Sequence, residues 1–287
     1  MKKSLTFSIA ALCVVGTTAA SAQDFYGAAE LSFGNYSVDD TGSDEGTANL
    51  ATLDAFLGTE FGNDLFVEGE IRLKQASSLS DPVSNNGLRD GQLYALRVGK
   101  EFGAFSLDGF VGQIQATSGD NDSSGDEAIQ RHFYGFSGSY DPSDHLHLFG
   151  LFGQLDGDTT ISTSNSDAFS NFTHVSIGAD YKLSSSWTLS AAATYGWGDM
   201  DGAPDSARVQ ELELGATYTF ADPNMRAFAE YRNAQYDQTD EGDYAVEEHI
   251  SVGFVWTFGN SGSRRNATRT SLPNYLEWVT ASDGHLE

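Results

Sequence analysis

The sequence predicts an all-β protein, a single up-and-down antiparallel transmembrane β-barrel of about 12 strands. The first observation is a series of twelve segments in which apolar residues recur at every second position, which is the period of a β-strand. The second is that the connections alternate in length, since five have two to four residues and six have seven to fourteen. The third is that, beyond the N-terminus, no uncharged apolar run approaches the roughly 20 residues that a spanning helix needs.

The segment 247–258 has the clearest pattern of a membrane-crossing strand. Its alternate positions Ile250, Val252, Phe254, Trp256 and Phe258 are all apolar. A tilted transmembrane strand needs roughly 9–11 residues, and this segment provides them. Because Trp and Phe are the side chains expected at a bilayer interface, we expect this strand to cross the membrane and close the barrel.

Eleven earlier segments repeat this design. In the third, an aliphatic face from Leu65 to Leu73 lies opposite four charged residues from Glu68 to Lys74. The predicted strands are 25–34, 51–61, 65–74, 91–102, 105–116, 127–140, 145–156, 168–182, 187–198, 207–220, 225–236 and 247–258. A soluble β-sandwich or solenoid would also alternate, but these segments are longer than the usual five or six residues of a strand.

Strand ends beside the short connections are rich in aromatic residues, which predicts one interfacial girdle. Its members are Phe61, Phe66, Phe102, Phe105, Tyr140, Tyr181, Trp187, Tyr218, Phe220 and Phe258.

The N-terminus predicts export from the cytoplasm. A basic start is followed by a mostly apolar stretch, 5–17, and by the small-residue cleavage site Ala20-Ser21-Ala22, so residues 1–22 are predicted to be a signal peptide. Cys13 is the single cysteine and lies within this segment, which leaves no disulfide or thiol chemistry in the mature chain. We assign residues 23–258 to the transmembrane β-barrel and 259–287 to a C-terminal periplasmic tail.

The tail itself has two parts. Its first part, 259–270, is rich in Ser, Asn and Arg and reads as a flexible linker. The second part, 271–287, contains Leu272, Tyr275, Leu276, Trp278 and Val279 and predicts a short amphipathic helix. Three interpretations remain open for this helix: a periplasmic contact, a plug in the lumen, or merely a tail, which we favour.

The charge balance excludes nucleic acid as a partner. The chain carries 41 acidic and 15 basic residues, and removal of Lys2 and Lys3 leaves 13 basic residues. Binding to nucleic acid would need clustered positive charge. The six long connections hold eighteen Asp and Glu against one base, Arg89, which indicates a solvated rim. Two carboxylate clusters there, Asp199–Gly202 and Asp120–Asp122, resemble calcium ligands in spacing but complete no EF-hand loop, so we predict no metal site.

Strand parity also predicts which charged residues face the lumen. Charges of both signs there could line an aqueous channel, or they could pair across a closed interior. Twelve strands lie between the roughly eight that side chains can fill and the sixteen or more that leave an open channel. We favour a narrow pore with a mild preference for cations, because acids are in excess. The predicted pore-lining residues are Asp54, Glu68, Glu70, Arg72, Lys74, Arg97, Asp108, Arg131, Glu211, Glu213, Glu230 and Arg232.

The residues 24–258 resemble Gram-negative outer-membrane β-barrels of the porin-like family. The resemblance rests on the site Ala20-Ser21-Ala22, on the alternation of short turns and long loops, and on the strand from Ile250 to Phe258. It implies a channel for passive diffusion of ions and small hydrophilic solutes, with outer-membrane lipid and lipopolysaccharide as surroundings, and it allows a homo-oligomer. An even strand number places both termini in the periplasm. One departure is that 29 residues follow Phe258.

Two alternatives to a channel remain. A closed structural or adhesive barrel would act through its acidic surface loops. An enzyme would need a nucleophile and a base within reach. His174-Val175-Ser176 and His249-Ile250-Ser251 provide that pair, as in outer-membrane lipid deacylases, but parity points both pairs into the lumen, away from lipid. We therefore predict no catalytic activity and no cofactor.

Overall fold

The computed structural model describes residues 25–40, 46–77, 88–118, 127–160, 169–200, 206–238, 244–259 and 272–279. Twelve β-strands make up nearly all of this part of the chain. They are β1 (Phe25–Asp40), β2 (Gly46–Phe61), β3 (Leu65–Ser77), β4 (Leu88–Phe102), β5 (Phe105–Ser118), β6 (Glu127–Ser143), β7 (Leu146–Thr160), β8 (Phe169–Lys182), β9 (Trp187–Met200), β10 (Ser206–Thr219), β11 (Met225–Gln238) and β12 (Tyr244–Gly259).

The strands form one closed barrel in which each strand pairs with its neighbours along the chain. All pairings are antiparallel, and the seam between β1 and β12 places Leu31 opposite Phe254. Closure leaves no unpaired sheet edge, which is the condition for a β-structure to cross a bilayer. The predicted fold class, an up-and-down antiparallel barrel of about 12 strands, is confirmed.

The two faces of the barrel wall have the polarity expected in lipid. On β12, Ile250 and Phe254 are 61% and 62% exposed on the outer face, whereas His249 and Ser251 are 6% and 3% exposed. A soluble barrel would bury its apolar face inside, away from water. The apolar row predicted from the sequence therefore points outwards, and the polar row points into the lumen. No helix in the described part of the chain is long and apolar enough to span a membrane.

The short connections form the predicted tight turns. Asn63 and Asp64 have φ values of 73° and 61°, and Gly103 has a φ of 67°, a backbone conformation that Gly, Asn and Asp adopt at low cost. Most strands run further towards the long connections than predicted, as β1 does in reaching Asp40. Backbone pairing continues there because ladder hydrogen bonds do not require apolar side chains. The predicted turn Asp141–Asp144 is also displaced, since β6 runs to Ser143.

One member of the predicted aromatic girdle is wrong. Phe66 is 6% exposed and lines the lumen, because it shares its face of β3 with Glu68 rather than with Leu65. Its ring lies over Gly99, where a Cβ would come within 2.3 Å of the ring. Eight of the predicted girdle residues, from Phe61 to Phe220, are exposed on the outer face, and Phe258 is partly exposed.

The chain re-enters the barrel after its last strand. Residues 272–279, which we call the interior segment, lie inside the barrel and end in one helical turn at 275–279. Of the three interpretations of the tail, the position of this segment is that of a plug in the lumen rather than of a free tail. The remaining parts of 259–287 beyond Gly259, the predicted signal peptide and the acidic long loops lie outside the described residues.

Candidate functional site

The twelve predicted pore-lining residues all face the barrel interior. Arg131 and Arg232 are fully buried in its wall. The other ten line a single cavity: Asp54, Glu68, Glu70, Arg72, Lys74, Arg97, Asp108, Glu211, Glu213 and Glu230. Parity alone was enough to place them, because each strand alternates between lipid and lumen. Their part in conduction stays a prediction.

The cavity occupies the half of the barrel next to the short turns. Its volume is about 320 Å³, and it runs from the turn at Gly103 to the first residues of the interior segment, Leu272 to Asn274. Among the described residues, its walls carry ten carboxylates against three Lys or Arg side chains. Within the described residues, no group of three or more His, Cys, Asp or Glu could hold a metal ion.

Ion pairs organise one side of the cavity wall. The Arg72 guanidinium donates to Asp54 at 2.9 Å and lies 3.6 Å from Glu70. Arg97 donates to Asp108 at 3.1 Å and lies 3.7 Å from Glu70. Glu70 therefore bridges two guanidinium groups on adjacent strands, and this arrangement fixes both bases against the wall.

A second group of charges holds the interior segment. The Glu277 carboxylate accepts a hydrogen bond from the Lys74 ammonium and lies 3.5 Å from the Arg232 guanidinium. Arg232 in turn donates to Glu211 at 3.1 Å and lies 3.7 Å from Glu247. Glu277 is thus the carboxylate of the segment itself, placed between two bases of the barrel wall.

The two bases determine the protonation of Glu277. Burial alone would raise the pKa of its carboxyl, but the positive charges of Lys74 and Arg232 lower that pKa to about 2. Glu277 is therefore ionised while the segment is docked at neutral pH. Its charge is compensated because the hydrogen bond from Lys74 favours the ionised form.

Apolar side chains of the interior segment fill the half of the lumen next to the long loops. The Tyr275 ring lies 4.7 Å from the Phe133 ring, and the Trp278 ring meets Phe172 edge-on at 5.9 Å. Leu276 packs over Gly91, where a Cβ would approach a Leu276 methyl carbon to 2.8 Å. The cluster around them combines side chains from across the barrel: Tyr36, Leu93, Ile114, Ile129, Leu155, Val209 and Tyr236.

Polar groups of the segment are matched to the wall as well. The Tyr275 hydroxyl is 2.6 Å from Nε2 of His174, and the Trp278 indole N–H donates to Glu211 at 3.1 Å. The carbonyl of Pro273 accepts a hydrogen bond from Arg72 at 3.1 Å. Such matching indicates a specific docked position rather than loose filling of the lumen.

The net free energy of docking is small by an order-of-magnitude estimate. Five buried apolar side chains contribute about 1.5–3 kcal/mol each, on the order of 10 kcal/mol together. Ordering eight backbone residues costs about 1–2 kcal/mol each, which is of the same order. The hydrogen bonds and ion pairs of Glu277, Tyr275 and Trp278 therefore decide whether the segment stays docked.

Sequence reasoning missed several residues of this site. Glu277 looked like an ordinary surface acid, and His174 was considered only beside Ser176. Tyr36 and Tyr236, both of which donate to Glu247, were not singled out. Strand parity could have identified His174, Tyr36 and Tyr236, because all three side chains face the lumen.

Solved structures share this fold. The COG4313 outer membrane channel from Pseudomonas putida F1 is similar with a TM-score of 0.58 at 12% identity, over 84% of this chain and 97% of that chain. The NanC porin is similar with a TM-score of 0.51 at 10% identity, over 79% of this chain and 98% of that chain. No protein-family model and no curated protein matches the sequence. The predicted resemblance to porin-like outer-membrane barrels is thereby confirmed for the fold.

Proposed function

We propose that the chain is an outer-membrane channel for passive diffusion of ions and small hydrophilic solutes, and that its interior segment closes it. The observation that carries this proposal is the charged cavity of about 320 Å³ inside a closed barrel. The cavity ends at the interior segment, which is not a strand of the barrel wall. The fold shared with a channel and a porin supports it. The short-turn end, where β1 begins and β12 ends, is then periplasmic.

Mild cation preference follows from the charge of the cavity. Ten carboxylates against three Lys or Arg side chains give its walls an excess of negative charge. Rings of carboxylates favour cations in a pore because they lower the electrostatic barrier to entry. Arg72 pairs with Asp54 and Arg97 with Asp108, so each of these two bases is balanced by an acid of the wall.

Closure by the segment is supported by where the chain runs. The interior segment belongs to none of the twelve strands, and the barrel wall from β1 to β12 is hydrogen bonded without it. Its removal therefore leaves the sheet complete. A narrow pore and a closed barrel are then two states of one protein, which differ in the position of this segment.

Conductance in planar bilayers tests the proposal directly. The full chain and a variant that ends at Gly259 are refolded in detergent, and their folding is checked by circular dichroism and by heat-modifiable migration in gels. We expect steady, cation-selective steps from the shortened variant and rare steps from the full chain. Silence from both folded proteins would refute a channel and favour a closed barrel that acts through its acidic loops.

A reversible disulfide between the interior segment and the barrel wall distinguishes closure by the segment from an unrelated effect of truncation. Leu276 Cγ lies 3.3 Å from the position that a Cβ on Gly91 would take, so Gly91→Cys with Leu276→Cys places two thiols close together for a disulfide. The predicted mature chain has no other cysteine. Oxidation should abolish the steps of the double variant and reduction should restore them, while each single variant should not respond.

We also propose that the protein is not an enzyme. His174 lies beside Tyr275, and the Ser176 hydroxyl is hydrogen bonded to Thr194 at 2.8 Å, so this His and Ser each have a different neighbour. Both side chains face the lumen, where lipid does not reach. Hydrolysis of phospholipid or of a soluble ester by the folded protein would contradict this proposal.

A further inference from the structure

We propose that the chamber occupied by the interior segment is a binding site for small aromatic carboxylic acids, which compete with the segment for it. This inference rests on the proposed function, since it names a solute class for the same lumen. The segment shows which chemistry the chamber accepts: a carboxylate from Glu277 and aromatic rings from Tyr275 and Trp278, all fully buried.

The carboxylate position is defined by Lys74. Within the described residues, both hydrogen bonds of its ammonium go to the interior segment, one to Glu277 and one to the Asn274 side chain at 3.3 Å. When the segment leaves, Lys74 loses both partners, while Arg232 keeps Glu211 and Glu247. A ligand that takes the vacated position buries the Lys74 ammonium again, and a buried ammonium without an anion is costly, so the position favours a ligand that brings a carboxylate.

The aromatic position is defined by rings of the barrel wall. Phe172 and His174 meet the Trp278 ring edge-on at 5.9 and 5.3 Å, and Phe133 lies 4.7 Å from Tyr275. Edge-on contacts of this kind favour a flat aromatic body over an aliphatic chain of the same size. Glu211, which accepts from the Trp278 indole, offers the same hydrogen bond to a ligand N–H.

Competition with the segment sets the affinity that a ligand needs. The segment is covalently joined to β12, and a covalent tether gives a binding segment an effective concentration on the order of millimolar. A free acid therefore binds the intact chain more weakly than it binds a chain whose segment has lost its carboxylate. Weakening of the segment by Glu277→Gln should strengthen binding of the acid.

The acidic cavity opposes this preference and makes the test decisive. Its carboxylates, among them Glu211 beside Trp278, would attract an amine instead. If the general negative field governs the lumen, an aromatic amine binds better than the matching acid. If the local ammonium of Lys74 governs the chamber, the acid binds better.

Isothermal titration in detergent micelles separates these cases with indole-3-acetate, its neutral amide and tryptamine as probes. We expect indole-3-acetate to bind Glu277→Gln at least tenfold more tightly than the intact chain and at least tenfold more tightly than either other probe. Adding Lys74→Gln to Glu277→Gln should remove that advantage. The matched control adds Arg226→Gln, an interior base beside the short-turn end, and should change the affinity by less than threefold.

A second measurement uses the intact chain and does not depend on any variant. Indole-3-acetate should accelerate hydrogen exchange of the amides at 277 and 278, whereas the amide and tryptamine should not. Equal effects of all three probes, or binding that survives the loss of Lys74, would overturn the inference. A shortened channel that conducts but does not distinguish acid from amide leaves the proposed function standing and refutes the ligand. Specific binding of the acid without conductance would support the ligand and refute the proposed channel.

Discussion

Replacing Glu277 with Gln should release the interior segment. Glu277 is 1% exposed and is bonded to Lys74 and close to Arg232, so the substitution leaves two buried bases without their shared anion. Removing one partner of a buried ion pair costs about 3–5 kcal/mol. Because the amide oxygen of Gln still accepts a hydrogen bond from Lys74, we expect about 2–3 kcal/mol, close to the value of one charge-assisted hydrogen bond.

Hydrogen exchange of the segment measures this loss. The amides of Glu277 and Trp278 both donate to the Asn274 carbonyl at 3.1 Å, so they exchange only when the helical turn opens. A cost of 2–3 kcal/mol corresponds to about 30- to 150-fold faster exchange. The matched control is Asp108→Asn, which breaks an interior ion pair with Arg97 on the cavity wall. Exchange that changes less than threefold in Glu277→Gln would refute the role of this carboxylate.

Further predictions concern pH, shape and the lipid face. The docked Glu277 has its pKa lowered to about 2, so the stabilisation of docking by its charge is complete above pH 4.5. As the pH falls from there towards 2, the docking equilibrium constant should decrease about tenfold per pH unit. Conductance of the full chain should therefore rise in acid. Gly91→Val should also open the channel, since even a Cβ there would approach Leu276 to 2.8 Å; Gly69→Val, where a Cβ meets no atom within 4 Å, should not. Phe254→Arg places a charge on the outer face, 62% exposed, and should destabilise the folded barrel in bilayers by about 2–4 kcal/mol near mid-membrane, as measured by urea titration.

The sequence was informative about the wall because the wall is periodic. In each strand the alternation of apolar and polar residues shows which side chains face the lumen. Residues such as Glu70 and Arg97 could therefore be assigned to the lumen without knowing their partners. Strand ends were less accurate, because backbone pairing extends beyond the apolar row. The predicted girdle was wrong at Phe66, because this residue was assigned by its aromatic side chain although its position in β3 alternates with the outward-facing residues.

The position of the interior segment could not be predicted in the same way. The hydrogen bond from Lys74 to Glu277 joins residues 203 positions apart, and no local pattern records such a contact. A short amphipathic stretch with Tyr275 and Trp278 suits a lumen, a partner surface or an interface equally well. Only the closed wall brings Lys74 and Arg232 to one place and gives the segment a definite partner.

The docking contacts also have a consequence for the order in which the protein assembles. Lys74, His174, Glu211 and Arg232 come from β3, β8, β10 and β11. A sheet must therefore extend at least from β3 to β11 and curve towards closure before these four groups surround one space. The segment that recognises them is also synthesised after every strand. Docking of the segment is therefore a late step, which follows the formation of the barrel wall. During refolding, the circular dichroism of the sheet should develop before the amides of 277 and 278 become protected.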